Sequence, residues 1–169
     1  MVAGRLPDYH RFADYNAWAN ARLYDAVEAL SPEALRAHRP AAFFHSILGT
    51  LNHLLVADRI WLARFQHRPP AHGRLDEIVH DDLAALRAAR VSEDARIRRF
   101  VDGLSEADLD ARLAYKTSSG SPKRDPLGAL LSHVFNHQTH HRGQAHALIQ
   151  EAGVAPPPLD LIYYMRETG

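Results

Sequence analysis

Apolar residues recur at three- and four-residue intervals through four long stretches of this chain, the periodicity of helices that bury one face. Tyr9, Phe12, Asn16, Ala19, Leu23, Val27 and Leu30 share a stripe, so Asp8 to Leu30 reads as a first helix capped by Asp8. Asn16 is polar inside that stripe, and Trp18 lies off it. A large aromatic off the buried face marks an interface unless the connection after Leu30 or the C-terminal tail covers it. A second helix is expected from near Ser46 to about Gln66, its polar side narrowed to Asn52, Arg59, Ala63 and Gln66 and its apolar arc running through Leu51, Leu54, Ala57 and Trp61. A third runs from about Asp81 to Val101, through Leu83, Leu86, Ala89, Ile97 and Phe100. The fourth follows Asp125-Pro126, read as an N-cap and a first-turn proline, buries Leu127, Leu130, Val134, Ala145, Leu148 and Ala152, and ends at Gly153.

The connections carry their own signals. Ser31-Pro32-Glu33-Ala34 predicts a short helical turn, and Ser105-Glu106-Ala107-Asp108 a capping box opening another. His67-Arg68-Pro69-Pro70-Ala71-His72-Gly73-Arg74 is a breaker cluster and predicts a loop. Weak alternation from Arg112 to Arg124, around Ser118-Ser119-Gly120-Ser121-Pro122, predicts a two-stranded hairpin or an irregular loop. The tail after Val154 opens with three prolines and closes with Leu161-Ile162-Tyr163-Tyr164, apolar enough to pack back on the helices. Four helices with two long connections out of three predict a four-helix bundle that is not a simple up-and-down meander, in one domain spanning residues 1–169.

Charge and cysteine usage narrow the function. Lys plus Arg and Asp plus Glu both total 20, so no net field steers the chain to nucleic acid or anionic lipid, and function rests on a local site. Cysteine is absent, which excludes disulfides, a thiolate nucleophile and thiolate-held zinc or iron–sulfur clusters. Neither a signal-peptide pattern in Met1-Val2-Ala3-Gly4-Arg5-Leu6-Pro7 nor an apolar run long enough for a membrane span is present, so a soluble, cytoplasmic protein is expected.

Imidazole, carboxylate and water remain as metal ligands, and imidazole is plentiful, with 12 histidines. The segment His133-Val134-Phe135-Asn136-His137-Gln138-Thr139-His140-His141 concentrates four of them. At about 100° per residue His137 and His141 stack one turn apart on the flank of the buried face, offering two nitrogens to one ion. Two ligands rarely hold a metal, and the best third donor is His53, at the edge of the apolar arc of the second helix, with Gly49 and Ala57 leaving room beside it. Three imidazoles from two facing helices make an open site, whereas a closed structural zinc site wants four ligands. His133 reads as a neighbour of the site or a surface residue and His140 as solvated or orienting a loop; His10, His38, His45, His67, His72, His80 and His146 read as surface or capping residues. Gln144 is a candidate to orient bound water or substrate, and Asp58 and Asn52 are candidates to hold imidazole N–H groups; ordinary bundle hydrogen bonding is the simpler role for all three.

Tyr15-Asn16-Ala17-Trp18-Ala19-Asn20, Ser46-Ile47-Leu48-Gly49-Thr50-Leu51-Asn52-His53-Leu54, Ala57-Asp58-Arg59-Ile60-Trp61-Leu62, Asn136 to Gln144 and Leu159-Asp160-Leu161 together resemble the DinB family of the DinB/YfiT-like metalloenzyme superfamily. The resemblance spans almost the whole chain and implies a four-helix bundle, frequently a homodimer, with a divalent metal on three histidines. Carried over residue by residue, the ligands fall on His53, His137 and His141. Superfamily members include thiol-dependent S-transferases and a mycothiol-dependent isomerase. The resulting expectation is a metal-dependent enzyme with zinc or nickel, whose open position activates a low-molecular-weight thiol or water toward a small-molecule substrate. The alternative is a non-catalytic, metal-binding or structural dimeric bundle linked to stress response.

Overall fold

The computed structural model describes residues 4–40, 42–69 and 72–169; Met1 to Ala3 of the N-terminal stretch, and Pro70 and Ala71 of the expected loop, lie outside them. Four long helices, α1 (Leu6–Val27), α3 (Ile47–Phe65), α4 (Leu83–Asp102) and α6 (Leu127–Glu151), form a four-helix bundle. The short α2 (Pro32–Arg36), α5 (Glu106–Asp110) and α7 (Leu161–Thr168), with strands β1 (Arg112–Lys116) and β2 (Pro122–Pro126), complete it. α1 and α3 each pack against α4 and α6. Helices α1 and α3 therefore sit at opposite corners, which is why the connection between them is long. The expected neighbourhood of the two histidine-bearing helices, α3 and α6, is observed.

Most helix starts follow the chemistry of their caps. Ser46 Oγ accepts from the Gly49 N–H (2.9 Å), Asp82 from Ala85 (2.8 Å) and Ser31 from Ala34 (3.2 Å). The Ser105–Asp108 capping box also forms. Two starts differ from expectation. Asp8 lies inside the first turn of α1, because Pro7 is tolerated there and the Leu6 N–H donates to Glu106 of α5 (2.7 Å), a distant side chain that replaces a local cap. Asp125 does not cap α6, and Pro126 stands at the N-cap position rather than in the first turn: the two are the last residues of β2, paired antiparallel with Leu113 and Arg112, and the Asp125 carboxylate accepts from the Tyr115 hydroxyl (2.9 Å). The Leu127 N–H donates instead to Ala111 O (2.9 Å).

The interior has three levels. An apolar cluster around Tyr9, Leu62, Ile97, Leu131 and Phe135 fills one end of the bundle, and a second around Leu23, Leu51, Leu55, Leu86 and Ile149 fills the other. Between them lies a layer of buried polar groups: Asn16 and Asn20 of α1, Asp58 of α3, Arg90 and Asp94 of α4, and Gln138 and Arg142 of α6. Arg90 makes ion pairs with Asp58 (2.8 Å) and Asp94 (3.0 Å). The amides of Asn16 and Asn20 donate to Asp94 (3.1 and 3.0 Å) and their oxygens accept from Arg142. Gln138 donates to Asp58 (2.6 Å) and to Leu54 O (3.0 Å), linking α6 to α3. Burial raises the Asp58 carboxyl and Arg90 pulls it back. Two arginines face two aspartates here, and the buried Glu93 beside them pairs with the less buried Arg96 (2.6 Å) and Arg59 (3.9 Å), so each buried carboxylate has a cation nearby. An uncompensated charge at this depth would cost several kcal/mol.

α7 packs on α1. Tyr164 meets the rings of Tyr15 and Trp18 edge-on (6.0 and 5.8 Å), the Trp18 indole N–H donates to Glu167 (3.0 Å), and Arg22 pairs with Glu167 (2.7 Å). Trp18 is thus covered by the chain's own tail, and its place off the stripe is no longer an argument for an interface.

Candidate metal centre

α3 and α6 bring three imidazoles together. One ring nitrogen each from His53, His137 and His141 lies within 4.8 Å of the others, the one group of its kind among the described residues able to hold a metal ion. His53 Nε2 and His137 Nε2 are 3.3 Å apart. Two nitrogens bound tetrahedrally at about 2.0–2.1 Å from one ion stand about 3.3–3.4 Å apart, so this pair already has the spacing a zinc-like ion requires.

The far side of two rings is fixed. His53 Nδ1 donates to the Leu75 carbonyl (2.8 Å) and His141 Nδ1 donates to Gln144 Oε1 (2.7 Å), an assignment that follows from the partners being oxygen acceptors. Each ring therefore presents an unprotonated Nε2 inward, the form that binds metals. Protonation is also disfavoured. Burial lowers His53 to about 4 against the opposing bond from Leu75, and burial with the neighbouring His141 and His53 lowers His137 to about 3. Burial likewise lowers His141, against the bond to Gln144.

The support reaches beyond the ligands. Asn52, expected on the polar side of its helix, is fully buried. Its side chain accepts from the Val79 and His80 N–H groups (2.9 and 3.0 Å) and donates to His80 O (3.0 Å), anchoring the connection that carries Leu75. Neither Asn52 nor Asp58 bonds an imidazole; Asn52 acts through this connection, and Asp58 through Gln138, the residue after His137. Gln144 holds His141 rather than facing open space. Phe44, absent from the sequence reading, stacks on His53 (ring centroids 3.7 Å, planes 16° apart). It can do so because position 49 is glycine: a Cβ there would stand 2.2 Å from Phe44 O. Gly49 signals room for an approaching group without naming it; the group is the chain's own turn.

Of the remaining histidines, His133 is exposed and meets Trp61 (5.1 Å) and His137 (5.8 Å), and His140 is exposed. His67 adopts a positive φ of 55° just after α3, a capping role. His72 is more enclosed than expected, with Glu77 at 3.2 Å and 9 % side-chain exposure.

A cleft of about 910 Å³ opens beside the cluster, reached at His137 and Leu75 and walled by α3, the hairpin and the 67–75 connection. A second cleft of about 900 Å³, between α1, α6 and the C-terminal segment, touches none of the three imidazoles. No helix among the described residues is long and apolar enough to cross a membrane.

Comparison with known proteins agrees with this architecture. Residues 5–169 match the family model described as DinB family. The chain is 27 % identical over 157 residues to Protein DinB of Bacillus subtilis (strain 168), covering 90 % of each chain. It also resembles the crystal structure of a DinB-like protein from Bacillus cereus ATCC 10987, with TM-score 0.64 and 21 % identity over 87 % of this chain and 94 % of that one. At that identity the structural likeness speaks for the fold alone.

Proposed function

The chain belongs to the DinB family, and on that premise we propose that it is a metal-dependent enzyme whose ion, zinc or nickel, is held by His53, His137 and His141. The observation that carries this reading is the 3.3 Å spacing of two inward Nε2 atoms, with the far nitrogens of His53 and His141 tied to fixed oxygens. A divalent ion there would lower the pKa of a thiol or water in its remaining position to near neutrality. Lacking cysteine, the chain would take its thiol as a cosubstrate, in keeping with the S-transferases of the superfamily it resembles. Gln144 and Leu75 keep two rings in register, and Phe44 shields His53 from water. His133, its protonation disfavoured by partial desolvation and by Arg64, stands beside His137 with a ring nitrogen able to take up the proton the nucleophile loses. The homodimer implied by the resemblance rests on that resemblance alone.

The Co²⁺-substituted protein tests the reaction class. A small thiol is expected to bring in a sulfur-to-metal charge-transfer band, absent in His141→Ala. A spectrum that answers to pH and azide but not to thiols would turn the reading to hydrolysis.

A further inference from the structure

The cleft beside His137 is one-signed. Its charged lining residues are Arg64, Arg68 and Lys116, joined by His67, His72 and His133, and among the described residues no carboxylate lines it. Glu77 and Asp125 touch lining residues, through His72 (3.2 Å) and the Tyr115 hydroxyl (2.9 Å), without lining the cleft themselves. In a chain with equal numbers of acids and bases, this segregation is local.

Arg64 is the informative member. It is half-buried, yet among the described residues no carboxylate lies within ion-pair distance of it, whereas Arg39, Arg59 and Arg90 each face one. Its guanidinium instead lies against two adjoining rings, 4.5 Å from the centre of Trp61 and 5.5 Å from that of Tyr115. A stacked guanidinium keeps its planar N–H donors for a ligand in the ring plane, and that fork matches a carboxylate. Trp61 in turn meets His133, and His133 meets His137, so the cation stands at the far end of an aromatic wall that leads to the imidazole cluster. The cleft's volume of about 910 Å³ exceeds what a small thiol alone would fill.

We propose that this cleft selects a carboxylate-bearing substrate, with Arg64 as the carboxylate-binding residue and Lys116 supporting it from the hairpin, so that the acid's other end is directed toward His137. The inference rests on the reading of the three histidines as the reactive centre, but its binding step is separable from metal chemistry. Titration calorimetry with phenylsuccinate and with its uncharged diamide, on metal-loaded and chelator-treated protein, tests it. The acid is expected to bind at least about 10-fold more tightly than the diamide in both forms, and Arg64→Gln to lose about 10-fold for the acid alone, the size of a lost charge-assisted hydrogen bond. Lys116→Gln, on an exposed strand position, is expected to give a smaller loss of the same kind and serves if Arg64→Gln does not fold. Equal affinity for acid and diamide, or acid binding unchanged in these variants, overturns the proposal. Acid selectivity that depends on Arg64 in a protein that takes up no metal would leave the cleft inference standing and remove the metal reading. Metal uptake without acid selectivity would do the reverse.

Discussion

His141 illustrates how one side chain three residues away sets a ligand's chemistry. Gln144 Oε1 accepts from Nδ1 at 2.7 Å, so Nε2 carries the lone pair available to an ion shared with His53 and His137. Gln144→Ala is expected to weaken Zn²⁺ affinity by about 10- to 100-fold while leaving the fold intact, checked by competition with a chromophoric chelator. An unchanged affinity would mean that the tautomer is set elsewhere. The suppressed protonation of His53 and His137 predicts a pH dependence of the metal-free protein. In the unfolded chain both imidazoles take up protons below about 6.5. In the fold they do so only near 4 and 3. The unfolded state thus binds more protons in that window, and stability is expected to fall as pH drops from about 6.5 toward 4, with no contribution from these groups above it. Urea unfolding of the metal-free protein at several pH values, with His137→Gln as the variant expected to flatten the curve, reads this directly. The three imidazoles were legible in the sequence because helical spacing alone stacks His137 on His141 and puts His53 at a helix edge. Phe44 was not, since a loop aromatic gains its partner only from tertiary structure.

At the level of elements, the turn before α3 is built around a missing side chain. A Cβ on Gly49 would meet a backbone oxygen of Phe44 at 2.2 Å, and backbone cannot swing aside as a flexible side chain can. Gly49→Ala is expected to destabilise by about 1–3 kcal/mol, lowering the melting midpoint by roughly 2–10 °C, and to weaken metal binding as Phe44 leaves His53. A midpoint within 1 °C of the parent, roughly the precision of the measurement, would contradict the packing described. Helix existence and approximate span followed from periodicity, and Ser46, Ser31 and Ser105 acted as their residue types predict. The misreadings have one cause. Asp8 and Asp125 are good local caps, but Glu106 reaches the Leu6 N–H from α5, and the hairpin ladder claims Asp125, so long-range pairing overrode local preference. Trp18 meets Tyr15 and Arg22 on its own helix, but the groups that decide between its two sequence readings, Tyr164 and Glu167, reach it from the far end of the chain.

For the whole molecule, the polar layer ties the stability of the bundle to the register of the two histidine-bearing helices. Gln138, the residue after His137, bridges Asp58 and the carbonyl of Leu54, the residue after His53, while Arg90 pairs with Asp58 and Asp94. Arg90→Met removes the ion-pair partner of both Asp58 and Asp94, leaving two buried carboxylates to the single guanidinium of Arg142, and is expected to cost about 3–5 kcal/mol, a large part of a typical domain stability of about 5–15 kcal/mol. Adding Asp58→Asn alone, which leaves one carboxylate to balance Arg142, is expected to recover much of it, and a cost under about 1 kcal/mol for Arg90→Met by itself would show the layer to be solvated. The sequence hinted at this layer only through Asn16, because Arg90 and Asp94 scan as the polar face of α4, and nothing local tells a solvated charge from a buried pair.

The central claim, that the three histidines hold an ion, is tested most directly by elemental analysis of protein purified without an affinity tag. About one divalent ion per chain is expected in the parent and in His133→Ala and His140→Ala, with most of it lost in His53→Ala, His137→Ala and His141→Ala while circular dichroism stays helical. A folded parent that holds only trace metal, even after incubation with Zn²⁺ and Ni²⁺, would contradict the account.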